Sequence, residues 1–168
     1  MNIEKALLIG EIENGTVIDH IPERAVLRIP QIFKLYNRKT GRISIGDKYP
    51  STRLKGLKGV LKIEGVFLTQ EEIHRLALIA PGATISFIKD GKVFGDKIRK
   101  IEPPEVLEGI VNCLNPNCIS RFIPENRTMP ETPPKISFLG EDKFSCFYCE
   151  KNYSREDLSK PDNFYEFK

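Results

Sequence analysis

All four cysteines of this 168-residue chain lie in its last third, at Cys113, Cys118, Cys146 and Cys149. Their spacing is Cys-x4-Cys and then, after a long gap, Cys-x2-Cys. Two such hooks can supply four thiolates to one tetrahedral Zn²⁺ ion. Asn115-Pro116-Asn117, inside the first hook, favours the tight turn that a hook needs. The competing readings are a pair of disulfides, or four unrelated buried thiols. Met1-Asn2-Ile3-Glu4 does not resemble a secretory signal, so the expected compartment is reducing and the expected location cytoplasmic. Cysteine spacing in that setting points to a metal site. A four-thiolate zinc has no open position for water or substrate, so the expected role is structural, with one ion per chain. No acidic residue offers a further ligand at convincing spacing, and the only two histidines, His20 and His74, lie far upstream. The metal would hold together a module too small to fold on its own buried core.

Elsewhere the chain offers little for catalysis. It has no Walker-type phosphate loop, no Gly-x-Ser-x-Gly and no His-Glu-x-x-His. No nucleophile, base and orienting group can be named together, so no catalytic residue is expected. Two segments hint at a ligand instead. In Gly15-Thr16-Val17-Ile18-Asp19-His20-Ile21-Pro22 a strand is expected to give way to a turn, with a carboxylate and an imidazole side by side. Such a pair can read donors and acceptors on a polar ligand. Residue types alone favour the plainer reading, in which Asp19 caps a following helix and His20 packs beneath it. The second segment, Arg53-Leu54-Lys55-Gly56-Leu57-Lys58-Gly59-Val60-Leu61-Lys62, has the lysine density of an anion pocket. A solvated basic edge that discourages strand pairing is the other reading.

The elements that must position these groups follow from periodicity. Glu102-Pro103-Pro104 reads as a stiff connector, dividing the chain into residues 1–102 and 105–168. Before it, Ala6 to Ile12 is an apolar run expected to be the first strand. Ile29, Ile32, Phe33 and Tyr36 share a helical face that contains Pro30, so that helix must kink there or begin there. Arg42 to Lys48 and Val60 to Val66 are expected strands. Thr69 and Glu72 form a capping box ahead of a helix carrying Ile73, Leu76, Ala77 and Ala80. Ala83 to Ile88 and Lys92 to Phe94 are strands that meet at Asp90-Gly91. The order β-α-β-β-α-β, with one short extra strand, is the ferredoxin-like pattern. The expected fold class is α+β, a ferredoxin-like N-terminal domain followed by a small zinc-ribbon-like, all-β C-terminal domain. Charged residues make up 29% and hydrophobic ones 40%, and a net charge of +3 is too mild to argue for nucleic acid. No apolar run is long enough to cross a membrane.

Gly15 to Pro22, Arg42-Ile43-Ser44-Ile45-Gly46, Lys62-Ile63-Glu64, Leu76-Ala77-Leu78-Ile79-Ala80-Pro81 and Asn117-Cys118-Ile119-Ser120 together resemble the regulatory chain of aspartate carbamoyltransferase. The likeness runs in register from about Ile3 to Tyr153 and includes both cysteine hooks. It implies a chain without catalytic activity of its own, taking part in control of pyrimidine biosynthesis. Residues 1–102 would be an allosteric domain binding CTP, ATP or UTP, and residues 105–168 a zinc domain docked on the catalytic chain. Regulatory homodimers, three in number, would bridge two catalytic trimers in a dodecamer. By the same resemblance, Asp19 would meet the ribose or base side of the nucleotide and Lys62 the ribose and phosphates. His20 would lie near the phosphates, and Glu11 and Ile12 would present backbone groups to the base. Val17, Ile88 and Val93 would form the apolar lining.

Three positions depart from the family pattern. Ser86 stands where an Asn is common, and Gly91 replaces an aromatic. A phosphate-binding Lys is displaced by one residue to Lys97, behind Asp96. The tail from Ser159 to Lys168 lies beyond the resemblance. The alternative, a nucleic-acid-binding zinc ribbon, would need uncompensated basic residues near the hooks. Arg121, Lys143, Lys151 and Arg155 there are largely offset by Glu141, Asp142, Glu150 and Glu156.

Overall fold

The computed structural model describes residues 10–98 and 100–165, the side chains at 97 and 98 excepted. The chain divides into two compact units. One contains residues up to Thr69 together with Ala80–Ile101, and the other contains Gln70–Ile79 together with Glu102 onward.

The first unit is built on β1 (Gly15–Pro22), β2 (Ile43–Ser51), β3 (Gly56–Glu64), β4 (Thr84–Lys89) and β5 (Lys92–Ile98). They form one sheet in the order β2-β3-β1-β4-β5, every neighbouring pair antiparallel. The first four strands have the ferredoxin-like order, and β5 extends the sheet at one edge. The strand expected from Ala6 to Ile12 falls mostly outside the described residues, and positions 10–12 are irregular. The central strand is instead Gly15–Pro22, a segment in which a strand was expected to give way to a turn. Its residues alternate, Thr16 and Ile18 facing the core while Val17 and Asp19 are only partly covered. Thr16 is buried with its hydroxyl satisfied, donating to Val66 O at 2.7 Å. Gly15 is required at the strand entry: at φ +139° a Cβ would sit 2.1 Å from Ile63 O.

The face beneath is closed by Ile18, Leu61, Ile63 and Ile85, all fully buried. The 3-10 turn Ala25–Leu27 lies on β1, β2 and β3. Gly59 admits it, since a Cβ there would meet Val26 Cβ at 2.8 Å. The expected first helix is short: α1 spans Ile29–Ile32, with Pro30 in its first turn, where no N–H is missed. Lys34 then turns left-handed at φ +49°, and a 3-10 turn follows at Leu35–Asn37. That break takes Tyr36 off the apolar face, and it is exposed. The β4–β5 hairpin turns at Asp90-Gly91, both with positive φ, as a tight two-residue hairpin demands.

The second unit is a four-stranded antiparallel sheet, β6 (Val106–Glu108), β7 (Lys135–Gly140), β8 (Lys143–Cys146) and β9 (Asn152–Ser154), in that spatial order. Leu107, Ile136, Phe144 and Leu158 fill its small core. Helix α2 (Gln70–Ile79) precedes these strands in the chain but packs within this unit. The helical turn α3 (Arg155–Leu158) starts at Ser154, whose hydroxyl accepts the Asp157 N–H at 3.1 Å. Residues beyond α3 pack on this unit: Val111 bridges Phe164, Asn112 N–H donates to Asn163 O, and Tyr165 N–H donates to Ile110 O. Phe164 and Tyr165 are buried. Arg75, on α2, donates to Tyr165 O at 2.7 Å and lies 5.9 Å from the Phe164 ring centroid, while Arg155 donates to Ala77 O. Among the described residues no helix is long and apolar enough to cross a membrane.

Candidate metal centre and candidate effector face

The two hooks converge. Cys113 follows the Val111 bridge, and Cys118 stands immediately before the 3-10 turn Ile119–Arg121. Asn115 shapes the first hook, its carbonyl accepting the Cys118 N–H and its side-chain oxygen accepting the Asn117 N–H. Cys146 closes β8, and Cys149 sits in the turn towards β9. That turn is made by Glu150 at φ +56°, with its N–H donating to Cys146 O at 2.9 Å.

The four Sγ atoms lie within 4.8 Å of one another. Cys113 and Cys149 are 3.6 Å apart, and Cys118 and Cys146 are 3.7 Å apart. A sulfur tetrahedron about 2.3 Å from a zinc ion has edges of about 3.8 Å, whereas a disulfide needs about 2.05 Å. All four are free thiols, so the disulfide reading is excluded, and the cluster fits one structural zinc ion.

Electrostatics divide the four unevenly. Burial pushes the Cys113 thiol up to about 12, against the hydrogen bond from Tyr153. Burial also raises Cys146. At Cys149 burial acts upward too, but hydrogen bonds from Lys151, Asn115 and Cys113 outweigh it and bring the thiol to about 6. A bound zinc ion would supply the positive charge that holds all four as thiolates.

Two outer partners were not visible in the spacing. Tyr153 Oη accepts the Asn115 N–H at 3.1 Å, which directs its own proton to Cys113 Sγ, also at 3.1 Å. The buried Ser120 hydroxyl lies 3.2 Å from Cys118 Sγ. Tyr153 belongs to an ordinary alternating strand, so only the fold shows which way its ring points.

The other candidate residues lie on the partly open side of the first sheet. Val17 pairs with Lys62 on one side and with Ser86 on the other, so three strands present one cross-sheet row. Two residues along β1 in one direction is Gly15, opposite Ile88, which in turn pairs with Val93. Two residues in the other direction is Asp19, opposite Thr84. A β-bulge follows, where His20 adopts φ +57°.

Asp19 holds Lys58, whose Nζ donates to both carboxylate oxygens at 2.7 and 2.9 Å. Asp19 also accepts the His20 N–H. His20 Nδ1 is buried without a hydrogen bond, 3.4 Å from Asp19 Oδ2. Burial lowers the imidazole pKa; Asp19 opposes this, and the charges of Lys58 and Arg53 add to it. The carbonyl of Gly10 accepts from Lys62 Nζ at 3.0 Å and that of Glu11 from Arg42 at 2.7 Å, which ties down the stretch before β1 where Ile12 is buried.

The sheet therefore places Val17, Lys62, Ser86, Asp19, Ile88 and Val93 on one face, with His20 at its margin. Lys97 has its backbone in β5, but its side chain lies outside the described residues. Arg42 was not expected in this group, and Lys58 was expected only as part of the basic segment Arg53 to Lys62. Counting by twos back from Lys62 along β3 would have placed Lys58 on the same face.

Comparison with known proteins agrees with this architecture. Residues 7–100 match the family described as aspartate carbamoyltransferase regulatory chain, allosteric domain. Residues 105–159 match its metal binding domain. A regulatory chain of Thermofilum pendens is 39% identical over 157 residues, covering 93% of this chain and 94% of the relative. That of Pyrococcus furiosus is 38% identical, covering 90% and 95%, and that of Vibrio vulnificus 39% identical, covering 93% and 97%. With both modules matched and identity sustained along nearly the whole length, the chain belongs to the family of aspartate carbamoyltransferase regulatory chains, which are non-catalytic.

Proposed function

We propose that this chain binds nucleotide effectors, CTP, ATP or UTP, on the open face of its first sheet and transmits their effect to a catalytic partner through its metal-binding module, so regulating pyrimidine biosynthesis. The observation that carries this reading is the cross-strand row of Lys62, Val17 and Ser86, flanked by Ile88 and Val93 on one side and by Asp19, Lys58 and His20 on the other. Such a face is apolar at one end and cationic at the other, which suits a base with a phosphate chain. Lys62 is the cation of that row and would meet the ribose and phosphates. Asp19 would orient the ribose while keeping Lys58 in place.

Residues 1–102 are then the effector domain, and residues 105–168 the module that contacts the catalytic chain. Three regulatory homodimers would join two catalytic trimers in the cytoplasm. Control is exerted by linkage: an effector that binds one quaternary state better shifts the population towards it, by no more than its differential affinity. The zinc ion's part is to hold the docking module folded. The test is a calorimetric titration of the zinc-loaded chain with CTP, repeated with Lys62→Ala. Saturable binding weakened at least tenfold by the substitution is expected, as loss of a charge-assisted contact predicts. Unchanged binding in Lys62→Ala would place the ligand elsewhere.

A further inference from the structure

We infer that Arg53, a residue of the β2–β3 hairpin turn, is a further anion-reading group at the cationic end of this face, and that it makes the site discriminate nucleotides by the length of their phosphate chain. The inference rests on the proposed effector site and extends it.

Arg53 reaches from the turn across to β4. Its Nη1 donates to Thr84 Oγ1 at 2.8 Å, and its Nη2 donates to Gly82 O at 3.2 Å. Thr84 is the direct cross-strand partner of Asp19. The guanidinium is therefore held at the row that contains the Asp19–Lys58 ion pair, beyond the row of Val17, Lys62 and Ser86. Each row lies about 7 Å from the next along the strands. A ligand with its base on Ile88 and Val93 and its ribose near Lys62 would direct its outermost phosphates to that end.

Charge supports the same assignment. Lys58 and Arg53 are both cationic there, and the one carboxylate of the row, Asp19, is engaged by Lys58. Among the described residues no carboxylate pairs with Arg53, which is exposed. Both cations act on His20, pressing its imidazole towards the neutral form. The two anchoring bonds use two of the five guanidinium N–H donors and fix the plane. The remaining donors form the fork that matches two phosphate oxygens, already ordered before the ligand arrives. A plain strut between hairpin and β4 would need no charge; a hydroxyl or amide could serve.

The test is calorimetric binding of CTP, CDP and CMP to the full zinc-loaded chain, comparing the unmodified protein with Arg53→Ala, Arg53→Lys and Lys62→Ala. Arg53→Ala is expected to lose about tenfold in CTP affinity with CMP affinity unchanged. Arg53→Lys is expected to fall between, because it keeps the charge and loses the fork. Lys62→Ala is expected to weaken all three ligands. Equal losses for CMP and CTP in Arg53→Ala, or no loss for either, would overturn the inference while leaving the effector site in place. If the unmodified protein binds none of the three, the effector site itself is wrong, and this inference fails with it.

Discussion

Replacing Tyr153 with Phe removes one oxygen from the outer shell of the metal centre and almost nothing else. That oxygen accepts the Asn115 N–H and donates to Cys113 Sγ, both at 3.1 Å. Burial first, and the bond to Cys113 next, hold the phenol above its ordinary pKa, so at neutral pH it is a donor. With zinc bound the sulfur is a thiolate, and a hydrogen bond to a charged group contributes about 1.5–3 kcal/mol. Tyr153 is only half-buried, so water can replace part of the interaction, and the lower end of that range, about 1.5–2 kcal/mol, applies. Converted to affinity, this is a loss of about 10- to 30-fold for zinc, within the range usual for outer-shell partners. The assay is competition for Zn²⁺ against a chromophoric chelator at pH 7, with protein secondary structure followed alongside. A Tyr153→Phe protein that binds zinc within twofold of the unmodified chain would refute the reasoning, since the hydroxyl would then be filling space only.

Three other perturbations probe the rest of the molecule. Gly15→Ala places a Cβ 2.1 Å from Ile63 O at a φ of +139°, so the first sheet must shift at its central strand; urea unfolding should show a loss of about 3 kcal/mol or more, and a loss under about 1 kcal/mol would mean the strand entry is slack. His20 has its folded-state pKa below 6.5, its burial outweighing Asp19, so it is neutral at pH 7. The unfolded chain then takes up the proton first: stability at this group is undiminished above pH 6.5 and declines as pH falls below it. Proton NMR should find the His20 titration below 6.5 in the free chain and moved upward by saturating CTP, and a free-chain value above 6.5 would contradict this account. Arg75→Ala removes the bond to Tyr165 O and the contact with the Phe164 ring, and should lower stability by about 2 kcal/mol with zinc in excess, read by chemical denaturation.

Local patterns carried much of the fold. Period-two alternation in Ile43–Ser51, Gly56–Glu64 and Thr84–Lys89, the capping pair at Thr69 and Glu72, and Asp90-Gly91 each specify their element within a few residues of sequence. Misreadings arose where a neighbour in space overrode local preference. The run Gly15–Pro22 contains Gly, Asp, His and Pro and reads as a strand that gives way to a turn. It is the central strand because β3 and β4 bond to it on both sides. The helix through Pro30 is cut short after Ile32 by the left-handed Lys34, a conformation that residue type does not announce.

Two cysteine hooks at metal-binding spacing, the adjacent Asp19 and His20, and a lysine-rich segment were legible in the chain alone, because residue type and short spacing are properties of the sequence. Which of these groups lie side by side follows from the assembled fold. The match of 3.6 and 3.7 Å sulfur separations to one ion, the Tyr153 hydroxyl behind Cys113, the row joining Lys62, Val17 and Ser86, and the reach of Arg53 to Thr84 all depend on register between segments far apart in sequence. Register is set by burying one face of each strand, because a slip of one residue would turn every core side chain out to solvent, and that is a property of the whole sheet.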